Sequence, residues 1–219
     1  MIDTLIAFGC SFTYGDELLD PNIELGQPCS SKQNETYRNS HCYAGLIAKH
    51  YNLEFVNTAF PGGSLESMRY ALYWTSNNYN LKNVLCVAGL TQAHRNSYFD
   101  ENLNDPPWNR FRHSAWLKND ITTSWGKLNQ SWLTLSHCYE WQQFNLYQTV
   151  KIFESSSPNI VLLPVFRDES SFASDAKTKF ILEDLLSCED FAEYGHPNES
   201  GHQKVANRLI EHIDSVKLM

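Results

Sequence analysis

Three short apolar runs, Ile2 to Phe8, Val84 to Ala88 and Asn159 to Val165, and a shorter one from Glu54 to Asn57, are spread along the chain. Their length and their Gly or polar boundaries read as buried strands. Between them, apolar residues recur every three or four positions, as on one face of a helix. Tyr43, Leu46, Ile47 and Tyr51 make one such face, and Leu65, Met68, Leu72 and Tyr73 another. A long amphipathic helix is expected over 136–153 and a shorter one around Lys179 to Leu186. The last helix should start at Asn198 or Glu199, run through Val205, Leu209 and Ile210, and end near Asp214. Strands alternating with helices imply an α/β fold, a three-layer, doubly wound parallel sheet with helices on both faces. Sites in such sheets lie beyond the carboxyl ends of the strands. Ser11, Gly62 and Thr91 each follow a predicted strand, which would bring them to one edge.

Two stretches break the pattern. Asp20 to Asn34 is rich in Asn, Ser and Pro, and 96–131 is polar while carrying Trp108, Trp116 and Trp125. A loop as long as the second is usually functional or partly structured. With no internal repeat, low-complexity tract or linker, the 219 residues read as a single domain, 1–219, with an insertion at about 96–131.

Composition adds exclusions. Hydrophobic residues at 42% and charged residues at 19% are ordinary for a globular chain. A net charge of -8 disfavours nucleic acid and anionic membrane surfaces as partners, both of which need clustered Lys and Arg. No apolar run reaches the roughly 18 residues of a membrane helix, and the start lacks the basic and cleavage features of a signal peptide, so a cytoplasmic location is expected. The six cysteines form no CxxC pair, which argues against a disulfide framework or a zinc site. Cys10 and Cys86 fall in apolar runs, where Cys packs as a small hydrophobe.

The first stretch with chemistry is Phe8-Gly9-Cys10-Ser11-Phe12-Thr13-Tyr14-Gly15. A serine in a Gly-flanked turn between strand and helix can expose its hydroxyl, and its own N–H can serve an oxyanion. The plainer reading is that Ser11 caps the following helix. At the far end, Glu193-Tyr194-Gly195-His196-Pro197-Asn198 sets a carboxylate three residues before a His on a loop leading into a helix. Such a His can act on a substrate while the carboxylate fixes its tautomer, or it can simply be a surface residue of a capping loop. His94, His113, His137 and His202 lack metal-site spacing and read as surface or capping residues. Pro61-Gly62-Gly63-Ser64 is too short for a phosphate-binding loop and no Lys-Ser or Lys-Thr follows it.

Together the two ends resemble the SGNH (GDSL-like) hydrolases, whose Ser opens the chain and whose Asp-x-x-His closes it. Phe8-Gly9-Cys10-Ser11 is similar to the family's Phe-Gly-Asp-Ser block, with Cys10 in place of Asp. Cys before Ser, with Phe-Thr and Gly after it, looks like a branch met in bacteria and tailed phages, which would make the protein virion-associated if phage-encoded. Asn57-Thr58-Ala59-Phe60-Pro61-Gly62 resembles the second block, and Gly89-Leu90-Thr91-Gln92 stands where the family has Gly-x-Asn-Asp.

The resemblance implies a serine esterase in a flavodoxin-like fold, with Ser11 as nucleophile, His196 as general base and Glu193 as its orienter. Asp190 is the reserve orienter. It implies an oxyanion hole made of Ser11, Gly62 and Thr91, and no metal or organic cofactor. The acidic charge and the Trp-bearing insertion favour an O-acetyl ester on a carbohydrate, with Trp108, Trp116 and Trp125 as a stacking surface. Thr91 in place of Asn keeps a second reading open, a weakened or inactive member that binds glycans or forms part of a virion or surface structure. A flavodoxin-like nucleotide-binding module is a third reading, and it lacks a phosphate-loop signature.

Overall fold

The structure, a computed structural model, describes residues 1–23, 31–103, 106–113, 122–135, 139–167 and 180–219. The chain opens with strand β1 (Thr4–Phe8), the four-residue helix α1 (Ser11–Tyr14), and helices α2 (Glu35–His41) and α3 (Tyr43–His50). Strand β2 (Glu54–Asn57), helix α4 (Leu65–Asn78) and strand β3 (Val84–Leu90) follow. Then come a small hairpin, β4 (Ser97–Phe99) and β5 (Phe111–His113), helices α5 (Ser124–Leu135) and α6 (Tyr139–Ser156), strand β6 (Ile160–Pro164) and helix α7 (Glu199–Val216).

The main sheet has the order β2-β1-β3-β6, and every neighbouring pair is parallel. Because strand side chains alternate, the strands are apolar on both faces. Leu5, Ala7, Leu85, Val87, Val161 and Leu163 join one core cluster with α3 and α7. Ile6, Phe8, Cys86, Ala88, Ile160 and Leu162 join the other with α4 and α6. Phe8 meets Phe153 of α6 edge to face at 5.2 Å. The expected three layers are therefore present. From β2 the chain passes over β1 to reach β3, so β1 and β3 flank the point where the winding reverses, and their carboxyl ends open a crevice.

Strand boundaries agree with the sequence reading to within two residues, and α7 begins at Glu199 behind an Asn198 side chain that accepts the Gly201 N–H at 3.0 Å. One expectation needs correction, one helix was not expected, and the insertion is structured in part, as expected. The helix expected around Lys179 to Leu186 is, in its described part, only a 3-10 turn over Glu183–Leu185. Helix α2 was not foreseen, because its Glu35, Arg38, Asn39 and His41 give no apolar stripe. Part of 96–131 is regular structure, with Asp100 of the hairpin accepting from the Asn102 N–H and side chain and from Arg112.

Candidate active site

Where β1 ends, the chain has almost no room. A Cβ on Gly9 would lie 2.3 Å from Thr13 Oγ1, and one on Gly89 of β3 would lie 2.2 Å from the same atom. The Thr13 hydroxyl fills this gap and pairs with the buried Tyr43 hydroxyl at 2.8 Å, which fastens α1 to α3. Gly15, left-handed at φ 84°, ends the helix. Ser11 is its first residue, and the N-cap position is taken by Cys10, with no side-chain cap bond. The capping reading of Ser11 therefore fails. Ser11 is only 5% exposed, and among the described residues its Oγ has no hydrogen-bond partner.

The loop after β2 is laced to this turn. Thr58 donates to the Ala7 carbonyl from its N–H at 2.9 Å and from its hydroxyl at 2.6 Å, and the Phe60 N–H donates to Gly9 O at 3.1 Å. A Cβ on Gly63 would sit 2.8 Å from Gly9 O, so the two turns lie in backbone contact. Gly62, at φ 75°, crests the loop. Among the described residues neither the Ser11 nor the Gly62 N–H meets an acceptor. Thr91, one residue past β3, is fully buried, and its Oγ1 has no partner among the described residues.

The third element is the loop before α7. Its anchor is Asp190, whose fully buried carboxylate accepts from Lys204 Nζ at 2.7 Å, the Ser187 N–H at 2.9 Å and hydroxyl at 2.7 Å, and the Ser200 hydroxyl at 3.1 Å. Lys204 first, then these donors, hold its carboxyl well below the usual range. The Ala192 N–H donates to the His196 carbonyl at 2.8 Å, closing a turn through Gly195 at φ 86°.

His196 projects from that turn onto α1. Its ring lies edge-on to Phe12 at 5.5 Å, and its Nδ1 is 2.8 Å from Glu17 Oε2. The same carboxylate accepts the His196 N–H at 2.9 Å and the Tyr194 N–H at 2.8 Å. With Nδ1–H donated to Glu17, Nε2 carries the lone pair. Asp16 Oδ2 is 4.0 Å from that nitrogen. The carboxylate beside His196 is thus Glu17. Glu193 is exposed and Asp190 is occupied with Lys204 and the two serines. No spacing rule singles out Glu17, whose backbone takes the left-handed φ of 69° rarely seen outside glycine.

His202 is not a surface residue, and of its two expected readings the capping one holds. It is fully buried, stacked on Tyr43, and accepts the Tyr43 N–H at Nδ1 at 3.1 Å, so it caps α3 from across the fold. Burial, with a smaller effect from His196, lowers its pKa to about 3.

The predicted tryptophans separate. Trp108 packs against Trp74 at 5.1 Å and lines a cavity of about 560 Å³ together with Tyr14, Phe60, Asn57 and Arg38. Trp125 is half-buried between Tyr98, at 6.1 Å, and the Arg112 guanidinium, at 5.3 Å. Trp116 lies outside the described residues. Among the described residues no group of three His, Cys, Asp or Glu is placed to hold a metal ion.

No protein-family model and no curated protein matches the sequence. Solved structures do match over nearly the whole chain. A member of the lipolytic G-D-S-L family from Veillonella parvula is 12% identical at a TM-score of 0.50, covering 95% of this chain and 96% of that one. The psychrotrophic esterase EstA from Pseudoalteromonas sp. is 10% identical at 0.53, with 98% of each chain covered. Axe2, an acetylxylan esterase from Geobacillus stearothermophilus, is 11% identical at 0.52, covering 96% and 94%. This chain has the SGNH hydrolase fold.

The loops after β1, β2 and β3 leave the carboxyl edge of the parallel sheet, and the loop before α7 joins the first of them through His196. Gly62, Thr91 and His196 lie in these loops and Ser11 opens α1 directly after the first of them, while Glu193, in the His loop, is exposed and makes no bond to His196 among the described residues.

Proposed function

We propose that the protein is a serine esterase in which Ser11 is the nucleophile and His196 the general base. The observation that carries this reading is the imidazole beside α1. Its Nδ1 is engaged by a carboxylate and its ring meets Phe12, the residue after Ser11 on the same turn, although no hydrogen bond joins the ring to the Ser11 hydroxyl among the described residues.

In this scheme Nε2 takes the Ser11 proton as Oγ bonds to the ester carbonyl carbon, and the carbonyl electron pair moves onto oxygen. The oxyanion is met by the Ser11 and Gly62 N–H groups, with Thr91 as the third donor. Collapse expels the alcohol, which takes the proton from His196, and leaves an acyl-enzyme. Water attacks that acyl group with the same His as base, releasing the acid.

An O-acetyl ester on a carbohydrate is the substrate class we favour. The cavity beside Tyr14 presents aromatic Phe60 and Trp108 with polar Asn57 and Arg38, a mixture suited to a sugar ring. That one protein of similar fold is an acetylxylan esterase accords with it.

The test is turnover of p-nitrophenyl acetate by the native protein and by Ser11→Ala and His196→Ala. Both variants should lose nearly all of it. The competing reading, a glycan-binding protein that keeps the fold without the reaction, draws on Thr91 standing where Asn is usual. It would show as acetylated-oligosaccharide binding without release of acetate.

A further inference from the structure

We infer that Glu17 is the positioning residue for His196, a carboxylate supplied by the nucleophile's own turn. The inference rests on the Ser11–His196 reading and adds the group that reading lacks. Glu17 is tied to Ser11 by chain geometry, since the Gly15 and Asp16 N–H groups both fold back onto the Ser11 carbonyl, at 3.1 and 3.0 Å. Its carboxylate, 14% exposed, then takes three donors from the His loop: Tyr194 N–H, His196 N–H and His196 Nδ1.

Two consequences follow from those bonds. The backbone pair fixes where the loop sits, and the Nδ1 bond fixes which nitrogen of the ring keeps its lone pair. Nucleophile and base are thereby referred to one turn, so the base is held to the segment that carries Ser11 even though its loop comes from the other end of the chain. The left-handed backbone at Glu17 suits this account. Strain of that kind persists where surrounding contacts over-determine it.

The other charged or titratable groups near the ring do not substitute. Asp16 lies on the Nε2 side at 4.0 Å, Glu193 faces solvent, and His202 is buried with its Nδ1 occupied by Tyr43. A glutamine at position 17 cannot accept all three donors, because one of its two terminal atoms is itself an N–H donor.

The test uses the whole protein labelled with 15N-histidine, and reads the His196 tautomer by long-range 1H–15N correlation at neutral pH. The native protein and Glu193→Gln should show His196 protonated at Nδ1, and Glu17→Gln should lose that tautomer. Kinetics with a short acetyl ester should show kcat falling about 10²–10⁴-fold in Glu17→Gln with KM within about threefold. The loss in Glu193→Gln should be far smaller. Retention of the Nδ1 tautomer and of kcat within threefold in Glu17→Gln would overturn the inference, as would an equal loss in Glu193→Gln. If Glu17→Gln fails to fold, the native spectrum decides, because a ring protonated only at Nε2 has no proton to give Glu17. Failure of the esterase reading is distinguishable: Ser11→Ala would then hydrolyse the ester as fast as the native protein, while the tautomer still judges Glu17.

Discussion

The rings of Phe12 and His196 meet edge-on at 5.5 Å, joining the first turn of the chain to the last loop. Phe12 follows Ser11 directly, so this contact ties the imidazole to the turn that carries the proposed nucleophile. Phe12 also packs on Phe166, at 5.1 Å, so the ring is braced from the side of β6 as well.

Ser11→Ala and His196→Ala should each lower kcat by about 10³–10⁶ without unfolding the protein, since neither side chain supports the core. The double variant should be hardly worse than either single one, because nucleophile and base work as one unit. Steady-state kinetics on a short acetyl ester check this, and additive losses would contradict a shared step.

Thr91 allows a sharper combination. A buried hydroxyl without a partner costs about 1–3 kcal/mol of stability, so Thr91→Val should raise the melting temperature by a few degrees. If the hydroxyl turns to the oxyanion during reaction, kcat should fall about 10–10³-fold while KM moves little. Stabilisation without loss of kcat would remove Thr91 from the oxyanion hole. Thr91→Asn should increase turnover if the natural site is a weakened one.

Asp190 gives the His loop a pH signature. Its carboxyl titrates near 3.9 in an unfolded chain, and Lys204 with the serine donors holds it lower in the folded protein. Its contribution to stability is thus complete above about pH 5 and is lost as pH falls below about 4 toward the folded value. Asp190→Asn should lower the melting temperature at pH 7, on the order of 5 °C. The gap to the native protein should narrow in acid. A gap that stays constant from pH 7 to pH 3.5 would show that Asp190 acts only through its shape.

Trp108→Ala should raise KM for an acetylated oligosaccharide several-fold while leaving turnover of p-nitrophenyl acetate nearly intact, since a stacked ring contributes about 1 kcal/mol. Trp125→Ala should have the smaller effect on KM, because that ring is already sandwiched by Tyr98 and Arg112. Equal losses on both substrates would assign Trp108 to the core.

Much of the sheet was legible because parallel strands buried on both faces leave short, nearly unbroken apolar runs, as Leu5 to Phe8 and Val84 to Ala88 do. The edge shared by Ser11, Gly62 and Thr91 followed from that. Helix α2 was not legible, since it meets the fold through polar residues such as Arg38, whose guanidinium lies 4.0 Å over the Tyr14 ring. Glu17 was not legible either. Its role depends on a left-handed turn after Gly15 and on a loop arriving from residues 194–196, neither of which leaves a local pattern. That His202 is buried was not legible, because the partner of the cap it provides, Tyr43 of α3, is brought to it only by the fold.

The most direct measurement of the central claim is covalent labelling with a fluorophosphonate, read by intact mass and peptide mapping. One adduct on Ser11 is expected in the native protein. It should be absent from Ser11→Ala and strongly slowed in His196→Ala, in which the serine has no base. A folded native protein that leaves Ser11 unmodified, or that is labelled equally fast without His196, would contradict the assignment of Ser11 and His196 as nucleophile and base.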